Sequence, residues 1–247
     1  MTNRYLHDSV VPDKASVQSK KEQVAGMFDE IAHRYDFLNR FLSAGIDVRW
    51  RKKALACLKP IQPSTLLDVA TGTADVAIMA ARELQPQQIT GIDISEKMLE
   101  AGRVKIKTLN LESKIELRKG DSETINFPDA SFDAVTVAFG VRNFENLEQG
   151  IRELYRVLKP GGRLVVLEFS KPKFPGIQQL YNLYMRFIAP GLAGVFAKKQ
   201  AYQYLNDSIQ AFPEGKHFTT VLDKTGFKNT THKPLTLGIC SIYCGDK

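Results

Sequence analysis

Residues Leu66–Asp75 read Leu-Leu-Asp-Val-Ala-Thr-Gly-Thr-Ala-Asp, and residues Gly91–Leu99 read Gly-Ile-Asp-Ile-Ser-Glu-Lys-Met-Leu. An apolar strand ends in a turn of small residues, a helix follows, and a second apolar strand ends in the acid Asp93. This is the layout of a nucleotide-binding βαβ unit, in which a ligand approaches the backbone of the turn and the acid binds ribose hydroxyls. The two stretches therefore predict an α/β fold that binds a ribose-containing ligand.

The glycine content of the turn indicates which ligand fits. A dinucleotide site uses three glycines, in the pattern G-x-G-x-x-G, to seat a pyrophosphate at the helix N-terminus. The turn Ala70–Ala74 has Gly72 alone. A ligand with a ribose and no phosphate suits this turn better, and S-adenosylmethionine is the common one. We expect this methyl donor; the alternatives are a nicotinamide dinucleotide, or a strand-turn-helix that binds no ligand.

The bulk composition is that of a globular protein with one α/β domain of ordinary size. The chain has 247 residues, of which 43% are hydrophobic and 25% are charged. It lacks an apolar run of 18 residues and an N-terminal secretory signal, so we expect no membrane span and no export. Three cysteines without paired spacing suggest a reducing cytosol. Cys240 and Cys244 lack further ligands nearby, so no metal site is predicted.

The formal net charge of +7 permits an anionic partner, either a nucleic acid or an anionic membrane surface. The charges do not form one long run. Short basic clusters occur at Lys20-Lys21, at Arg49 with Arg51-Lys52-Lys53, and at Lys198-Lys199. A solvated surface explains most of them, so charge alone indicates little about function.

Strands and helices alternate from residue 65 onward, which predicts a doubly wound, Rossmann-like and mostly parallel sheet. The predicted strands are Thr65–Ala70, Gln88–Asp93, Ile115–Lys119, Phe132–Ala138 and Gly162–Phe169. The predicted helices between them are Ala74–Leu84, Ser95–Lys107 and Leu147–Leu158. Segments near Phe227–Thr231 and Thr236–Cys244 are expected to form an antiparallel hairpin at the C-terminal edge of the sheet.

Residues 1–60 are predicted to form an N-terminal arm and a helical cap, and residues 61–247 a single ligand-binding domain. Apolar residues from Val24 to Tyr35 recur at helical spacing, and a second helix is expected over Asp47–Leu58. The polar, aperiodic arm up to about Ser19 is expected to be mobile or loosely docked.

An unusually apolar insertion, at about residues 174–205, interrupts the alternation after the fifth strand. Its apolar positions fall at helical spacing: Ile177, Leu180, Tyr181, Tyr184, Met185 and Ile188. This stripe either packs on the core or has a functional role. In the functional case it lines an apolar substrate pocket or contacts a bilayer surface.

In an open α/β sheet, ligands bind at the carboxyl ends of the strands, where the strand order reverses. The first four predicted strands bring to this edge Thr71–Thr73, Asp93, Asp121-Ser122 and Ala138–Asn143. Asp93 is the candidate for the ribose hydroxyls. Asp121 can accept from an adenine amino group, and the amide of Ser122 can bond a ring nitrogen. Asp68, inside the first strand, is expected to order the turn or to reach the methionyl ammonium group.

Three further motifs indicate a family. They are Tyr35-Asp-Phe-Leu-Asn39 with Leu42-Ser-Ala-Gly-Ile46 and Trp50, Phe139-Gly-Val-Arg-Asn143, and Tyr155–Pro172 with its Lys-Pro-Gly-Gly turn. With the turn after the first strand, they make the chain resemble the ubiquinone/menaquinone biosynthesis C-methyltransferases, within the class I S-adenosylmethionine-dependent methyltransferases. The resemblance extends from about residue 20 to the C-terminus.

The resemblance implies methylation of a ring carbon on a prenylated quinol, most simply demethylmenaquinol to menaquinol in menaquinone biosynthesis. It implies cofactor contacts at Thr73, Asp93, Asp121, Ser122 and Ala138. Gly72 is added as a further contact because the ligand approaches the backbone of the turn closely. Two positions depart from the family pattern. Ala74 replaces the usual last glycine of the turn, and Asp47 stands where a histidine is frequent.

Such a reaction needs a reduced substrate, because a quinone ring is too electron-poor to attack a sulfonium methyl. The quinol carbon becomes nucleophilic as a neighbouring phenol loses its proton. For a phenol with a pKa near 10, like tyrosine, ionisation at pH 7 costs roughly 4 kcal/mol. A positioned base or a cation beside the phenolate would supply part of this energy.

Arg142, just past the fourth strand, is the candidate cation, and it could also order a water that takes the proton. Its guanidinium stays charged and is itself a poor base. Asn143 could orient the ring by hydrogen bonding. Glu168, at the end of the fifth strand, could orient Arg142 through an ion pair.

The N-terminal helix that should cover the site carries three further candidates. Tyr35 and Asp36 are predicted to take part in catalysis, and His33 or Asp36 could act as the base. Roles as helix-cap or surface residues remain open for all three.

A prenyl tail would keep the substrate in the bilayer, because each buried methylene contributes about 0.8 kcal/mol. We therefore expect a cytoplasmic protein that associates peripherally with the inner face of the cell membrane. The stretch Phe174–Phe196 and scattered basic residues are the candidate contact surface. The sequence leaves the oligomeric state open.

Other acceptors remain alternatives: a methoxy-benzoquinol of the ubiquinone route, or another phenolic small molecule. A protein that binds the cofactor without transferring a methyl group is a further alternative. A nucleic acid is not expected as substrate or partner. Base methyltransferases of this fold usually carry Asn/Asp-Pro-Pro-Tyr/Phe after the fourth strand, where this chain has Ala138–Asn143 without proline.

Overall fold

The computed structural model describes residues 5–172 and 199–247, together with Gly176 and Gln179. Its strands are β1 (Thr65–Val69), β2 (Gln88–Asp93), β3 (Ile115–Lys119), β4 (Phe132–Ala138), β5 (Leu158–Phe169), β6 (Lys228–Leu235) and β7 (Cys240–Asp246). Its helices are α1 (Lys20–Ile31), α2 (Tyr35–Leu42), α3 (Ile46–Ala56), α4 (Asp75–Glu83), α5 (Glu96–Thr108), α6 (Leu147–Val157), α7 (Lys199–Ala211) and α8 (Lys216–Thr225).

The strands of this described part form one seven-stranded sheet in the order β3-β2-β1-β4-β5-β7-β6. Strands β1 to β5 pair in parallel, whereas β7 is antiparallel to both β5 and β6. The order reverses between β1 and β4, so the loops that follow these two strands open on a common crevice. The predicted doubly wound sheet with an antiparallel C-terminal edge is confirmed.

Apolar side chains cover both faces of the central strands, as a sheet between two layers of helices requires. Asp68 is the buried charged residue of β1. Its buried carboxylate accepts hydrogen bonds from the hydroxyls of Thr71 at 2.6 Å and Thr136 at 2.7 Å. These bonds compensate part of the cost of burial and join the turn after β1 to strand β4.

Several element boundaries differ from the prediction. The predicted turn Pro160–Gly162 is a bulge inside β5, and Gly161 adopts a φ of 79° there. The stretch Thr236–Gly238, predicted as strand, is a 3-10 turn between β6 and β7 with positive φ at each residue. The apolar periodicity from Val24 to Tyr35 spans two helices, because a 3-10 turn at Ala32–Arg34 separates α1 from α2. Helix α5 begins at Glu96, one residue after the predicted start at Ser95, and the Ser95 hydroxyl caps it by accepting from the Met98 amide at 3.3 Å.

The N-terminal arm is docked more closely than the sequence suggested. The His7 side chain is buried, and burial lowers its pKa to about 3, so it is neutral at pH 7. The Lys20 ammonium group is also buried, and it donates to the carbonyls of His7 at 2.6 Å and Phe144 at 3.0 Å. The arm is thereby fastened to the loop after β4, which lines the crevice.

The expected contact stretch Phe174–Phe196 lies outside the described residues, apart from Gly176 and Gln179. Helices α7 and α8, which were not predicted, follow it and pack beside the crevice and against α6, respectively. In the described part of the chain, no helix combines the length and the apolar character needed to cross a bilayer.

Gly102 lets α5 approach the turn after β1. A Cβ at this position would lie 2.8 Å from Leu117 Cδ1 and 3.2 Å from the carbonyl carbon of Thr73. We expect Gly102→Ala to lower the urea midpoint, because overpacking costs about 1–3 kcal/mol and exceeds the gain of about 1 kcal/mol in helix propensity. The matched control is Gly26→Ala in α1, where a Cβ meets nothing within 4 Å and the variant should be more stable. Equal shifts in both variants would contradict this packing argument.

Candidate functional site

Three adjoining cavities occupy the crevice at the carboxyl ends of β1, β2 and β4. The first, here called the cleft, measures about 630 Å³, and its lining includes Gly72, Asp93, Asp121, Ser122, Ala138 and Asn143. The second, the apolar cavity, measures about 1240 Å³, and its lining includes Leu38, Trp50, Phe139, Phe169, Leu205 and Ile209. The third, the turn cavity, measures about 340 Å³ and lies at Thr71–Thr73. Tyr35 lines all three cavities and therefore stands at their junction.

The turn after β1 needs an unusual backbone. Ala70, Gly72 and Ala74 have φ values of 53°, 56° and 64°, in the left-handed region that favours glycine. A Cβ on Gly72 would approach Met98 Cε to 3.3 Å, so the glycine also keeps this side of the cleft open. Ala74, the departure from the family pattern, keeps the glycine-like conformation although it bears a methyl group.

Backbone amides hold the Asp93 carboxylate at the end of β2. The Gly72 amide donates to Oδ2 at 2.8 Å, and the Ser95 amide donates to Oδ1 at 2.9 Å. Burial nevertheless raises the pKa of Asp93 to about 6. Burial raises the pKa of Asp68 to about 6 as well. Both groups are therefore mostly ionised at pH 7 and act as acceptors.

Asp121 and Ser122 lie in the wall of the cleft, as predicted for an adenine site. The Asp121 carboxylate already has two partners: it accepts from Lys21 Nζ at 2.7 Å and from the Glu123 amide at 2.8 Å. Lys21 belongs to α1, so this ion pair connects α1 to the wall of the cleft.

Arg142 lies in the wall of the apolar cavity, 5% exposed. Its Nη1 donates to Glu168 Oε1 at 2.9 Å and to the carbonyl of Phe139, and its backbone amide donates to Glu168 Oε2 at 3.2 Å. The predicted ion pair is therefore confirmed, and Glu168 is fully buried. Arg142 Nε has no hydrogen-bond partner among the described residues. One buried N–H of the cation thus remains available for a ligand.

Asn143, the next residue, lines the cleft. Its Oδ1 accepts a hydrogen bond from the Tyr204 hydroxyl at 3.1 Å, and its Nδ2 lies 3.5 Å from the carbonyl oxygen of Phe139. Tyr204, on α7, lines the apolar cavity. Arg142 and Asn143 therefore face the two cavities from consecutive positions of one short turn.

Asp36 and His33, the candidate bases, do not line any of these three cavities. The Asp36 carboxylate bonds the Thr73 hydroxyl and lies 2.8 Å from Lys105 Nζ, which also bonds Asp75. His33 is exposed. The cluster around Lys105 ties α2 and α5 to the turn, so Asp36 and Thr73 meet as part of the scaffold of the site.

Arg51 lines the candidate site but was not predicted from the sequence, because the basic cluster Arg49–Lys53 was interpreted as solvated surface. Its buried side chain lines the apolar cavity and the turn cavity, and its Cζ lies 5.6 Å from the centre of the Phe139 ring. It pairs with buried Asp47 one helical turn earlier. Burial opposes ionisation of Asp47, but Arg51, Ser43 and Arg40 outweigh it and lower its pKa. The i, i+4 spacing of Asp47 and Arg51 was the available signal.

Comparison with known proteins gives a consistent result. A profile of the ubiE/COQ5 methyltransferase family matches residues 16–247. The chain is 48% identical over 230 residues to a demethylmenaquinone methyltransferase of Bacteroides fragilis, covering 92% of this chain and 94% of that protein. It is 48% identical over 229 residues to the ubiquinone/menaquinone biosynthesis C-methyltransferase UbiE of Geotalea daltonii, covering 92% and 97%.

Solved structures agree on the fold. A SAM-dependent methyltransferase of Thermotoga maritima superposes with a TM-score of 0.62 at 19% identity, covering 90% of this chain and 99% of that one. Phosphoethanolamine N-methyltransferase 2 of Haemonchus contortus, solved with S-adenosyl-L-methionine, gives a TM-score of 0.58 at 16% identity, covering 79% and 52%. The predicted class I methyltransferase fold is confirmed.

Proposed function

The chain belongs to the ubiE/COQ5 methyltransferase family, and we propose that it transfers a methyl group from S-adenosylmethionine to a ring carbon of demethylmenaquinol, a prenylated quinol, in menaquinone biosynthesis. The observation that carries the proposal is the placement of Arg142. This buried cation, whose Nε has no hydrogen-bond partner in the part of the chain that the structure describes, lies in the wall of an apolar cavity that adjoins a ribose-type cleft.

The residues of the cleft fit the donor. Asp93 would bind the ribose hydroxyls, and Asp121 with Ser122 would border the adenine, where Lys21 shares the Asp121 carboxylate. Gly72 leaves room for the ligand beside the turn.

The turn cavity would hold the amino-acid end of the donor. It combines the Asp68 carboxylate with the Arg51 cation, and these two charges complement an ammonium and a carboxylate group. Thr73 and Ala138 border the same cavity. With the adenine beside Asp121 and the amino-acid end between Asp68 and Arg51, the donor would lie with its sulfur near Tyr35.

The apolar cavity fits a prenylated ring. Its wall is mostly aromatic and aliphatic, which suits an apolar ring and the first part of its tail. Trp50, Phe139 and Phe169 form one aromatic surface, with ring centres 4.6 to 6.4 Å apart. Because Tyr35 borders both this cavity and the cleft, the acceptor ring would meet the methyl group beside Tyr35.

The donor supplies an electrophilic methyl group: a C–C bond forms, the C–S bond breaks, and the quinol loses a proton. Arg142 would stabilise the phenolate through Nε, and Asn143 would orient the ring through its amide. Glu168 keeps the Arg142 guanidinium fixed, so no reorganisation is needed as charge develops. Since Arg142 stays charged, a water at the cavity would take the proton. We assign Asp36 to holding Thr73 and the turn.

The prenyl tail places the reaction at a membrane surface. When the quinol ring occupies the apolar cavity, a long prenyl tail would still extend into the bilayer, because exposing its hydrocarbon to water is unfavourable. We therefore propose a cytoplasmic protein in peripheral contact with the membrane. The positive net charge of +7 supports attraction to anionic lipid.

Methyl transfer is tested with labelled donor and either reduced demethylmenaquinone or a reduced methoxy-benzoquinone in detergent, with mass spectrometry of the product. We expect the menaquinol product, with no transfer to oxidised quinone.

Arg142→Ala should lower kcat about 100-fold or more and leave the Kd of S-adenosylhomocysteine nearly unchanged.

Because Arg142→Ala leaves Glu168 buried without its cation, Arg142→Lys is measured in parallel and should be impaired in kcat as well. The matched control is Arg152→Ala, at an exposed arginine of α6, which should behave as wild type. A wild-type protein that methylates neither quinol, or Arg142 variants that lose donor binding alone, would contradict the proposal.

The affinity for S-adenosylhomocysteine should depend on pH through Asp93. Its folded pKa of about 6 means that the carboxylate is lost as pH falls through that value, and with it the acceptor for the ribose hydroxyls. Calorimetry should give a constant Kd from pH 7 to 8 and a Kd that rises up to tenfold per unit below about pH 6. The Asp93→Asn variant should bind S-adenosylhomocysteine weakly, and its Kd should change less steeply with pH. Any pH dependence that remains in this variant is attributed to Asp68. A flat Kd for wild type down to pH 5 would show that Asp93 is not the acceptor.

Membrane contact is tested by co-sedimentation of the full chain with vesicles. Recovery should be greater with anionic than with neutral lipid, and it should fall as salt rises, because the attraction is screened. Equal recovery with both lipids would exclude the electrostatic contribution.

A further inference from the structure

Tyr204 joins the walls of two cavities through one hydrogen bond. Its side chain is 3% exposed and lines the apolar cavity, and its hydroxyl contacts Asn143 Oδ1 at 3.1 Å. Asn143 lines the cleft. Helix α7, which carries Tyr204, also packs on the turn Val141–Asn143. The contact therefore links α7 to the residue that borders the donor.

The direction of this hydrogen bond is determined by the surroundings. Burial raises the pKa of Tyr204 well above its ordinary value, so the phenol keeps its proton and can donate. On its other side, the Asn143 amide approaches the Phe139 carbonyl oxygen at 3.5 Å. A reversed amide would set two acceptor oxygens against each other there. The Asn143 oxygen therefore faces Tyr204, and the nitrogen faces Phe139.

This orientation decides what Asn143 presents to a ligand. With its oxygen turned toward Tyr204 and one N–H toward the Phe139 carbonyl, the amide offers its second N–H to a ligand. Arg142, the preceding residue, contributes its Nε, which none of the described residues contacts through a hydrogen bond. Two donors from consecutive residues suit an oxygen that becomes negative during the reaction, whereas an amide oxygen in the same place would repel it.

We propose that Tyr204 is a positioning residue that holds the Asn143 amide so that its free N–H, and not its oxygen, is presented to the acceptor oxygen. The inference rests on the proposed function, since the oxygen in question is the ionising quinol hydroxyl. Tyr204 itself acts through Asn143 and takes no proton.

The test is a double-mutant cycle with Tyr204→Phe, Asn143→Ala and the double variant, assayed for methyl transfer to the reduced quinol. Tyr204→Phe keeps the ring packing and should lower kcat about five- to tenfold, the effect of one net hydrogen bond, with an unchanged Kd for S-adenosylhomocysteine. In the Asn143→Ala background it should have no further effect. The matched control is Tyr155→Phe, at a tyrosine that packs on Phe227 away from the three cavities, and it should leave kcat unchanged.

A second measurement does not require activity. The side-chain amide resonances of Asn143, assigned with Asn143→Ala, should shift in Tyr204→Phe with S-adenosylhomocysteine bound, and they should not shift in Tyr155→Phe. An unshifted amide, an unchanged kcat, or a Tyr204→Phe effect that persists in Asn143→Ala would each overturn the inference. A shifted amide in a protein that methylates no quinol would instead reject the proposed function while the positioning contact stands.

Discussion

The Asp93 carboxylate, at the end of β2, connects two backbone segments beside the point where the sheet reverses its strand order. The amides of Gly72 and Ser95 each donate to one of its oxygens, so the turn after β1 and the start of α5 share a single anion. The left-handed backbone at Ala70 and Ala74 would be costly in isolation, and these hydrogen bonds help to hold it. The same carboxylate faces the cleft, so the group that closes the turn is also the one suited to a ribose.

A second constraint is the burial of Arg142 with Glu168. Two charges lose their hydration when they are buried. Their mutual attraction offsets this desolvation cost only when the geometry is good and further hydrogen bonds are formed. Glu168 accepts hydrogen bonds from both the guanidinium group and the backbone amide of Arg142, but Arg142 Nε has no partner among residues 5–172 and 199–247. Such an incompletely satisfied cation costs stability. It also remains free to stabilise a negative charge in the apolar cavity, where the low dielectric strengthens the interaction.

The elements predicted well from sequence were those with strong local patterns. The βαβ unit, the position of Asp93 and the pairing of Arg142 with Glu168 depend on strand ends, which periodicity locates well. Contacts between distant segments were not predictable in this way. Asp36 bonds Thr73 because α2 crosses the turn, and Arg51 is buried because α3 packs over Phe139. Tyr204 reaches Asn143 from a helix 61 residues later in the chain. In each case tertiary packing, rather than local preference, determined the partner.

We propose that a donor sits in the cleft with its reactive sulfur at the junction marked by Tyr35. The most direct measurement is a crystal structure with S-adenosylhomocysteine bound. We expect ribose oxygens within hydrogen-bond distance of Asp93, the amino-acid carboxylate near Arg51, and the sulfur beside Ala138 and Tyr35, open to the apolar cavity. An adenosyl group seated away from Asp93, or a sulfur walled off from the apolar cavity, would contradict it.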